Sequence, residues 1–365
     1  MSKKVIIGGG GTGGHIFPAI SIANALRSLD KDIDILFVGA LNKIEMEKVP
    51  EAGYKIIGLP VAGFQRKFSL KNISFFVKLW KSMRMSRRII SDFKPDVAVG
   101  VGGYASGPIL KAAARRKLPL VIQEQNSYAG VTNRILAKSA TKICVAYDGM
   151  ERFFPKEKII LTGNPVRQDI IKPGAERETA LRHFGLDPVK QTILILGGSL
   201  GARTVNRSIA KSLNTIPEDV QLLWQCGKLY FPEMKAVLDA SGKKNIFLKE
   251  FIREMDLAFC AADVIISRAG AGTISELAIV AKPVILVPSP NVAEDHQTQN
   301  AFSLVNKKAA VLVRDIDAPE KLVSRALSLL NNSEERQILS KNLKKLAIID
   351  SADRIAREII KLIEK

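Results

Sequence analysis

His15, one of three histidines in the chain, closes the run Gly8-Gly9-Gly10-Gly11-Thr12-Gly13-Gly14. Glycines at the mouth of a helix let backbone N–H groups approach an oxygen-rich ligand. A histidine there can act as a general base at neutral pH, or can simply cap its own loop. The run contains G-x-G-x-x-G, but the next apolar segment ends Val38-Gly39-Ala40, without the acid that would hold a dinucleotide ribose. An NAD-dependent oxidoreductase is therefore poorly supported. Two further glycine clusters, 100–108 and 197–203, suit a phosphate or pyrophosphate, or a tight strand-to-helix turn. Three such loops at strand ends are more specific than any one.

Other polar clusters leave apolar runs in the same way. Gln123-Glu124-Gln125-Asn126 reads as recognition of a sugar-like ligand or as a solvated loop. In Ser267–Glu276, small residues open a helix, and Glu276 could accept two ribose hydroxyls or serve the helix dipole. Glu294–Ala301 is a third polar cluster, containing His296 and Gln297.

Short apolar runs carry these clusters: Lys4–Gly8, Ile33–Val38, Asp96–Val101 and Leu120–Gln123, then Thr192–Leu196, Val220–Trp224, Ile246–Leu248, Val264–Ile266, Val284–Val287 and Ala310–Val313. Helical stretches alternate with them, starting with His15–Leu29, as in parallel sheets with crossover helices. The pattern restarts near Gly163-Asn164-Pro165. The expected fold is α/β, with two Rossmann-like doubly wound domains. The expected boundaries are 1–163, 164–348 and a C-terminal helix, 349–365, packing back on the first domain. In such folds ligands sit at the C-terminal ends of the strands, which predicts a deep interdomain cleft.

The 365 residues carry 55 Lys+Arg against 36 Asp+Glu, a net charge of +19, which calls for an anionic partner. Residues 1–165 hold 26 basic and 12 acidic side chains (+14), and 166–365 hold 29 and 24 (+5). Phe64–Ile90 has eight basic residues and no acid, interleaved with Phe64, Phe68, Phe75, Phe76 and Trp80. Ile73, Phe76, Val77, Trp80 and Arg84 follow helical spacing, with Lys78 and Lys81 beside them. This describes either an interfacial membrane helix or a core-facing helix with a solvated basic face; the absence of acids favours the membrane. Three scattered cysteines exclude a disulfide framework, and 47% hydrophobic content excludes a disordered chain. The pattern predicts no signal peptide and no transmembrane helix.

The segments GGGGTGGH, GVGGYASGP, QEQNSYAGVTN, TGNPVR, GGSLGAR, SRAGAGTISE and AEDHQTQNA, in this order across nearly the whole chain, closely resemble the MurG family of bacterial N-acetylglucosaminyltransferases. The resemblance implies the GT-B fold and a peripheral enzyme on the cytoplasmic face of the inner membrane. It implies inverting transfer of GlcNAc from UDP-GlcNAc to the C4 hydroxyl of MurNAc in lipid I, giving lipid II for peptidoglycan, with consequences for cell shape and division. His15 would be the base. Thr12, Gly13, Gly14, Asn126 and Gln297 would contact the donor, Arg167 and Ser199 its diphosphate, Ile252 the uracil, Thr273 the nucleotide phosphates and Glu276 the ribose. Gly102, Gly103 and Tyr104 would form the acceptor-pyrophosphate loop. Phe75, Phe76, Lys78, Trp80, Lys81 and Arg84 would form the membrane patch. No cofactor is required, with Mg2+ at most stimulatory. Expected partners are UDP-GlcNAc, lipid I, an anionic membrane surface and cell-wall synthesis proteins, and no nucleic acid. The nearest rival is another GT-B lipid glycosyltransferase, such as a diacylglycerol glucosyltransferase. A UDP-sugar epimerase shares the fold without needing a membrane patch. A non-catalytic nucleic-acid-binding protein would instead predict basic charge spread over both halves.

Overall fold

The computed structural model describes residues 2–61, 71–167, 170, 176–198 and 200–364, except for the side chains of 71–74 and 293. It divides into two compact units, Met1–Val166 with Ile348–Lys365, and Arg167–Ala347. The division falls after Val166, rather than at the Gly163 turn, and the chain returns to the first unit at Ile348.

Unit 1 runs β1 (Lys4–Gly8), α1 (Gly13–Leu29), β2 (Asp34–Ala40), α2 (Glu45–Glu51), β3 (Lys55–Leu59), α3 (Lys71–Phe93), β4 (Val97–Gly100), α4 (Ser106–Arg115), β5 (Leu120–Glu124), α5 (Val131–Leu136), β6 (Lys142–Val145) and β7 (Ile159–Leu161). The strands form one parallel sheet in the order β3-β2-β1-β4-β5-β6-β7. Val5, Ile6 and Ile7 are all buried because helices cover both faces of the sheet. Val5 and Ile7 join one core with Ile16, Ile22 and Leu26 of α1, while Ile6 joins the other with Leu110 of α4 and Leu136 of α5. The last helix of the chain, Ser351–Ile363, belongs here: its Ile355, Ala356 and Ile359 enter the α1 core.

Unit 2 runs α6 (Arg177–Phe184), β8 (Gln191–Leu196), α7 (Arg203–Lys211), β9 (Val220–Gln225), α8 (Phe231–Ser241), β10 (Ile246–Lys249), α9 (Met255–Ala261), β11 (Val264–Ser267), α10 (Ala271–Val280), β12 (Val284–Leu286), α11 (His296–Val305), β13 (Val311–Leu312), α12 (Ala318–Asn331) and α13 (Ser333–Lys344). Its parallel sheet is ordered β10-β9-β8-β11-β12-β13. Buried Trp224 donates through Nε1 to Asn206 Oδ1 at 3.0 Å, and Asn206 Nδ2 donates to the Cys226 carbonyl at 2.8 Å, tying α7 to β9.

The expectation of two doubly wound parallel domains holds. In each, the strand order reverses beside the first strand, at β1/β4 and at β8/β11, so the glycine loops leave a topological switch point. Three strands have no counterpart among the expected ones: Lys55–Leu59, Lys142–Val145 and Ile159–Leu161. Two of these are edge strands, β3 and β7, whose middle positions are only partly buried, so their apolar signal is weak. Helix α1 begins at Gly13 rather than at His15, and β13 has only two residues.

Replacing Ile355 by Ala should destabilise unit 1 by about 2–5 kcal/mol, the cost of a large apolar deletion in a closed core. Denaturant unfolding measures this, and a loss under about 0.5 kcal/mol would show that the terminal helix adds little to the core.

Candidate functional site

In unit 1 the two glycine loops at the switch point form one packed object. A Cβ on Gly103 would lie 2.2 Å from the carbonyl oxygen of Gly10, and one on Gly9 would lie 2.1 Å from Val101 Cγ2. Gly10, Gly11, Gly102 and Gly103 all have positive φ, between 77° and 140°. Glycine is required here both for the backbone conformation and for the closeness of the two chains. The ring of Tyr104 lies against Gly11. Burial, and secondarily the Glu45 carboxylate, raises its phenol above the ordinary value.

His15 occupies the first turn of α1, half-buried. Thr12 is the N-cap residue, yet its hydroxyl does not cap the helix backbone. Instead Thr12 Oγ1 lies 3.0 Å from His15 Nδ1. The other edge of the ring faces the second loop: a Cβ on Gly102 would be 2.9 Å from His15 Cδ2 and 3.1 Å from Nε2. The structure thus brings Thr12, Gly13, Gly14, His15, Gly102, Gly103 and Tyr104 together at the ends of β1 and β4.

The run Gln123–Asn126, which begins inside β5, divides differently from either sequence expectation. Gln123, Glu124 and Gln125 are buried and bond internally. Gln125 Nε2 donates to the Val101 carbonyl at 2.6 Å, and Gln123 Nε2 to Asn164 Oδ1 at 2.9 Å. Glu124 accepts from the Asn126 and Gly130 backbone N–H groups, both at 3.0 Å, and from Asn133 Nδ2 at 2.8 Å. These groups are engaged within the protein rather than solvated. They shape the loop, and only Asn126 remains half-exposed.

In unit 2 the glycine loop after β8 packs instead on the residues that follow β9. Gly198 and Gly201 have φ of +76° and +88°. A Cβ on Gly201 would lie 2.3 Å from the Cys226 carbonyl oxygen. Ser199, expected at the diphosphate, lies outside the described residues. Thr273 sits in the first turn of α10 after the extended N-cap Gly270, and nothing stands within 4 Å of a Cβ on Gly272. The unpaired backbone N–H groups of an opening helical turn suit an anion. Arg167 Nε donates to Glu276 Oε1 at 3.2 Å, so the expected diphosphate cation and ribose acceptor are paired. Ile252 is buried and its N–H donates to Gln225 Oε1 at 2.9 Å. Gln297 Oε1 accepts from the Ser289 N–H at 2.9 Å. Glu294 and Asp295 both have left-handed backbone just before α11, and His296 Nε2 lies 3.6 Å from Glu294 Oε2.

Helix α3 carries the expected patch. Phe76 and Trp80 are 63% and 62% exposed, with Val77, Lys78, Lys81 and Arg84 also exposed and Phe75 half-buried. The Arg84 guanidinium lies 5.9 Å from the centre of the Trp80 ring. Ser82, Ser86, Ile89 and Ile90 turn inward instead. Residues 64–70 of the basic stretch lie outside the described residues.

Glu45 was missed by sequence reasoning. It is fully buried and accepts from the Gly11 and Ala40 N–H groups. Among the described residues no group of three or more His, Cys, Asp and Glu side chains is placed to hold a metal ion. Asp-x-Asp spacing occurs at 30–32, 32–34 and 315–317; of these carboxylates Asp30 pairs with Lys3, Asp315 with Arg268 and Thr204, and Asp317 with Arg314. Burial pushes the Cys144 and Cys226 thiols up to about 12 and about 11, so neither is a ready nucleophile.

Comparison with known proteins agrees with this layout. The glycosyltransferase family 28 N-terminal domain matches residues 5–145, and the C-terminal domain of the same family matches residues 192–355. A Bacteroides fragilis protein named UDP-N-acetylglucosamine--N-acetylmuramyl-(pentapeptide) pyrophosphoryl-undecaprenol N-acetylglucosamine transferase is 58% identical over 99% of this chain and 96% of its own length. A protein of the same name from Flavobacterium psychrophilum is 55% identical over 99% of this chain and 98% of its own. The crystal structure of Acinetobacter baumannii MurG superposes with a TM-score of 0.78 at 28% identity, covering 98% of this chain and 99% of that one. A UDP-N-acetylglucosamine 2-epimerase structure from Listeria monocytogenes, 15% identical with a TM-score of 0.72, shares the fold.

A methyl group at Gly103 would need to displace the Gly10 carbonyl and occupy φ +77°. Gly103→Ala should therefore lower stability by more than about 1 kcal/mol, the cost of left-handed backbone alone, and reduce turnover more than tenfold. A variant with unchanged melting and turnover would show that the loops do not depend on each other.

Proposed function

The chain belongs to glycosyltransferase family 28, and from that premise we propose that it moves GlcNAc from UDP-GlcNAc to the C4 hydroxyl of MurNAc in undecaprenyl-pyrophosphoryl-MurNAc-pentapeptide (lipid I), giving lipid II for peptidoglycan synthesis. It is an N-acetylglucosaminyltransferase. The observation that carries the acceptor is 58% identity over 99% of the chain to a relative named for this transfer. Identity of that extent leaves the diacylglycerol glucosyltransferase and nucleic-acid readings without support.

The proposed chemistry is one displacement at the anomeric carbon, inverting its configuration. His15 takes the proton as the acceptor oxygen attacks from the face opposite UDP. Thr12 Oγ1 lies within hydrogen-bond distance of Nδ1, so Nε2 would be the reacting edge. The departing diphosphate gathers negative charge. Arg167 and the opening turns of α7 and α10 would stabilise it through dipoles fixed before the reaction. Glu276 would accept the ribose hydroxyls once Arg167 turns to the diphosphate. The Ile252 N–H is already engaged by Gln225, which favours its carbonyl as the partner of a uracil N–H. Asn126 and Gln297 would contact the sugar, and the Gly102–Tyr104 loop the acceptor pyrophosphate. No resident cofactor is part of the proposal; Mg2+, where it stimulates, would act as counter-ion to the diphosphate.

The exposed Phe76, Val77 and Trp80 among lysines and arginines support peripheral attachment to an anionic membrane, the cytoplasmic face where a lipid pyrophosphate acceptor resides. Among the described residues no helix is long and apolar enough to cross a membrane.

Incubation with radiolabelled UDP-GlcNAc and a lipid I analogue should yield a labelled disaccharide lipid. Hydrolysis alone, or transfer only to diacylglycerol, would overturn the reading. In the same assay His15→Ala should cut turnover at least roughly 100-fold with donor KM largely kept. Near-wild-type turnover would remove the base. Changing Phe76 and Trp80 together to Ser should release the protein from anionic vesicles while sparing turnover on a soluble acceptor analogue. Undiminished vesicle binding would show that α3 is not the attachment surface.

A further inference from the structure

A carboxylate excluded from water is costly unless its oxygens are satisfied, so a fully buried one asks for an explanation. Glu45 is such a group. It opens α2, but its side chain turns away from that helix. Oε1 accepts from the Gly11 N–H at 2.9 Å and from the Ala40 N–H at 2.9 Å, and Oε2 shares the Gly11 N–H at 3.1 Å. Among the described residues these backbone groups are its hydrogen-bond partners, and no ion pair is formed with Lys, Arg or His. Two glycines make room for it: a Cβ on Gly10 would lie 2.1 Å from Oε1, and one on Gly39 would lie 2.6 Å from Cγ.

The segment it grips leads directly to the base. Gly11, at φ +91°, is followed by Thr12, whose carbonyl accepts the His15 and Ile16 N–H groups at 3.2 and 3.3 Å and whose hydroxyl meets His15 Nδ1. An anionic side chain holding the N–H of the residue before an N-cap fixes where that cap stands. Thr12 does not spend its hydroxyl on the helix, so its position governs the imidazole instead.

We infer that Glu45 is a positioning residue for the transfer: its buried carboxylate fixes the first glycine loop so that Thr12 holds the His15 ring in its working orientation. The inference rests on the reading of His15 as base. Glu45 touches neither substrate in this scheme and acts only through the loop.

The test is a cycle of four proteins: wild type, Glu45→Gln, His15→Ala and the double variant, assayed with UDP-GlcNAc and a soluble lipid I analogue. Glutamine has the same shape and keeps one acceptor oxygen, but it puts an amide donor where Oε2 faces the Gly11 N–H. Glu45→Gln should lower kcat at least about tenfold with donor KM within about twofold, and should cost nothing further in the His15→Ala background. Equal losses in both backgrounds would mark Glu45 as merely structural, and no loss in the wild-type background would remove it altogether. Near-wild-type turnover for His15→Ala alone would overturn the base and the positioning role with it. Thermal melting establishes that each variant is folded. Should Glu45→Gln not fold, Glu45→Asp, which keeps the charge but shortens the reach, takes its place with the same expected pattern.

Discussion

Unit 1 is organised around a contact with no side chains in it, the approach of Gly103 to the Gly10 carbonyl where the loops after β1 and β4 meet. Neighbouring parallel strands bring these loops side by side. Only residues without a Cβ let them close. With both backbones touching, each loop defines the other's shape, and His15 lies at the seam with one ring edge on Gly102 and the other on Thr12. Polar groups around the seam hold it in place rather than offering themselves to solvent. Gln125 fixes the Val101 carbonyl from one side and Glu45 fixes the Gly11 N–H from the other. Such mutual packing favours a site preorganised before a substrate arrives, as the proposed electrostatic catalysis would require.

Unit 2 has the same order of strands about its first strand but packs its glycine loop on another neighbour. There Gly197 and Gly201 lie against the Cys226 carbonyl just past the end of β9, and Gly201 also against Gly227. In the proposed function this topology would supply a general-base seat in one unit and an anion seat in the other. Net charge follows this division. A helix N-terminus and an arginine would suffice for one diphosphate, whereas a bilayer would be met by the row of lysines and arginines on α3.

How much of this was legible in the sequence depends on the range of the interaction concerned. The glycine loops, His15 and the α3 stripe are local patterns, and the fold follows from alternating apolar runs. The edge strands β3 and β7 were not legible because their middle residues are only partly buried. Within Gln123-Glu124-Gln125-Asn126 the residue types were visible, but not which were buried. That depended on Asn164 and Asn133, 41 and 10 residues away from Gln123. Glu45 was invisible for a related reason: one partner, the Gly11 N–H, lies 34 residues earlier, and the other, the Ala40 N–H, is a backbone group that no residue type announces.

The expected donor-binding groups of unit 2 share a property that bears on affinity. Arg167 is paired with Glu276, the Ile252 N–H with Gln225, and Gln297 with the Ser289 N–H. A nucleotide sugar would therefore exchange bonds rather than satisfy empty ones, and the gain from each exchange is the difference between two hydrogen-bonded states. The exchange is most favourable where the incoming group carries more charge than the one it replaces. A diphosphate offers Arg167 two anionic groups against one carboxylate, and its departure frees Glu276 for neutral hydroxyls. A neutral sugar offers no such gain. Under the proposed roles, selection at this pair would favour the diphosphate-bearing donor over its sugar, and the bonds re-forming between Arg167 and Glu276 after reaction would help to release UDP.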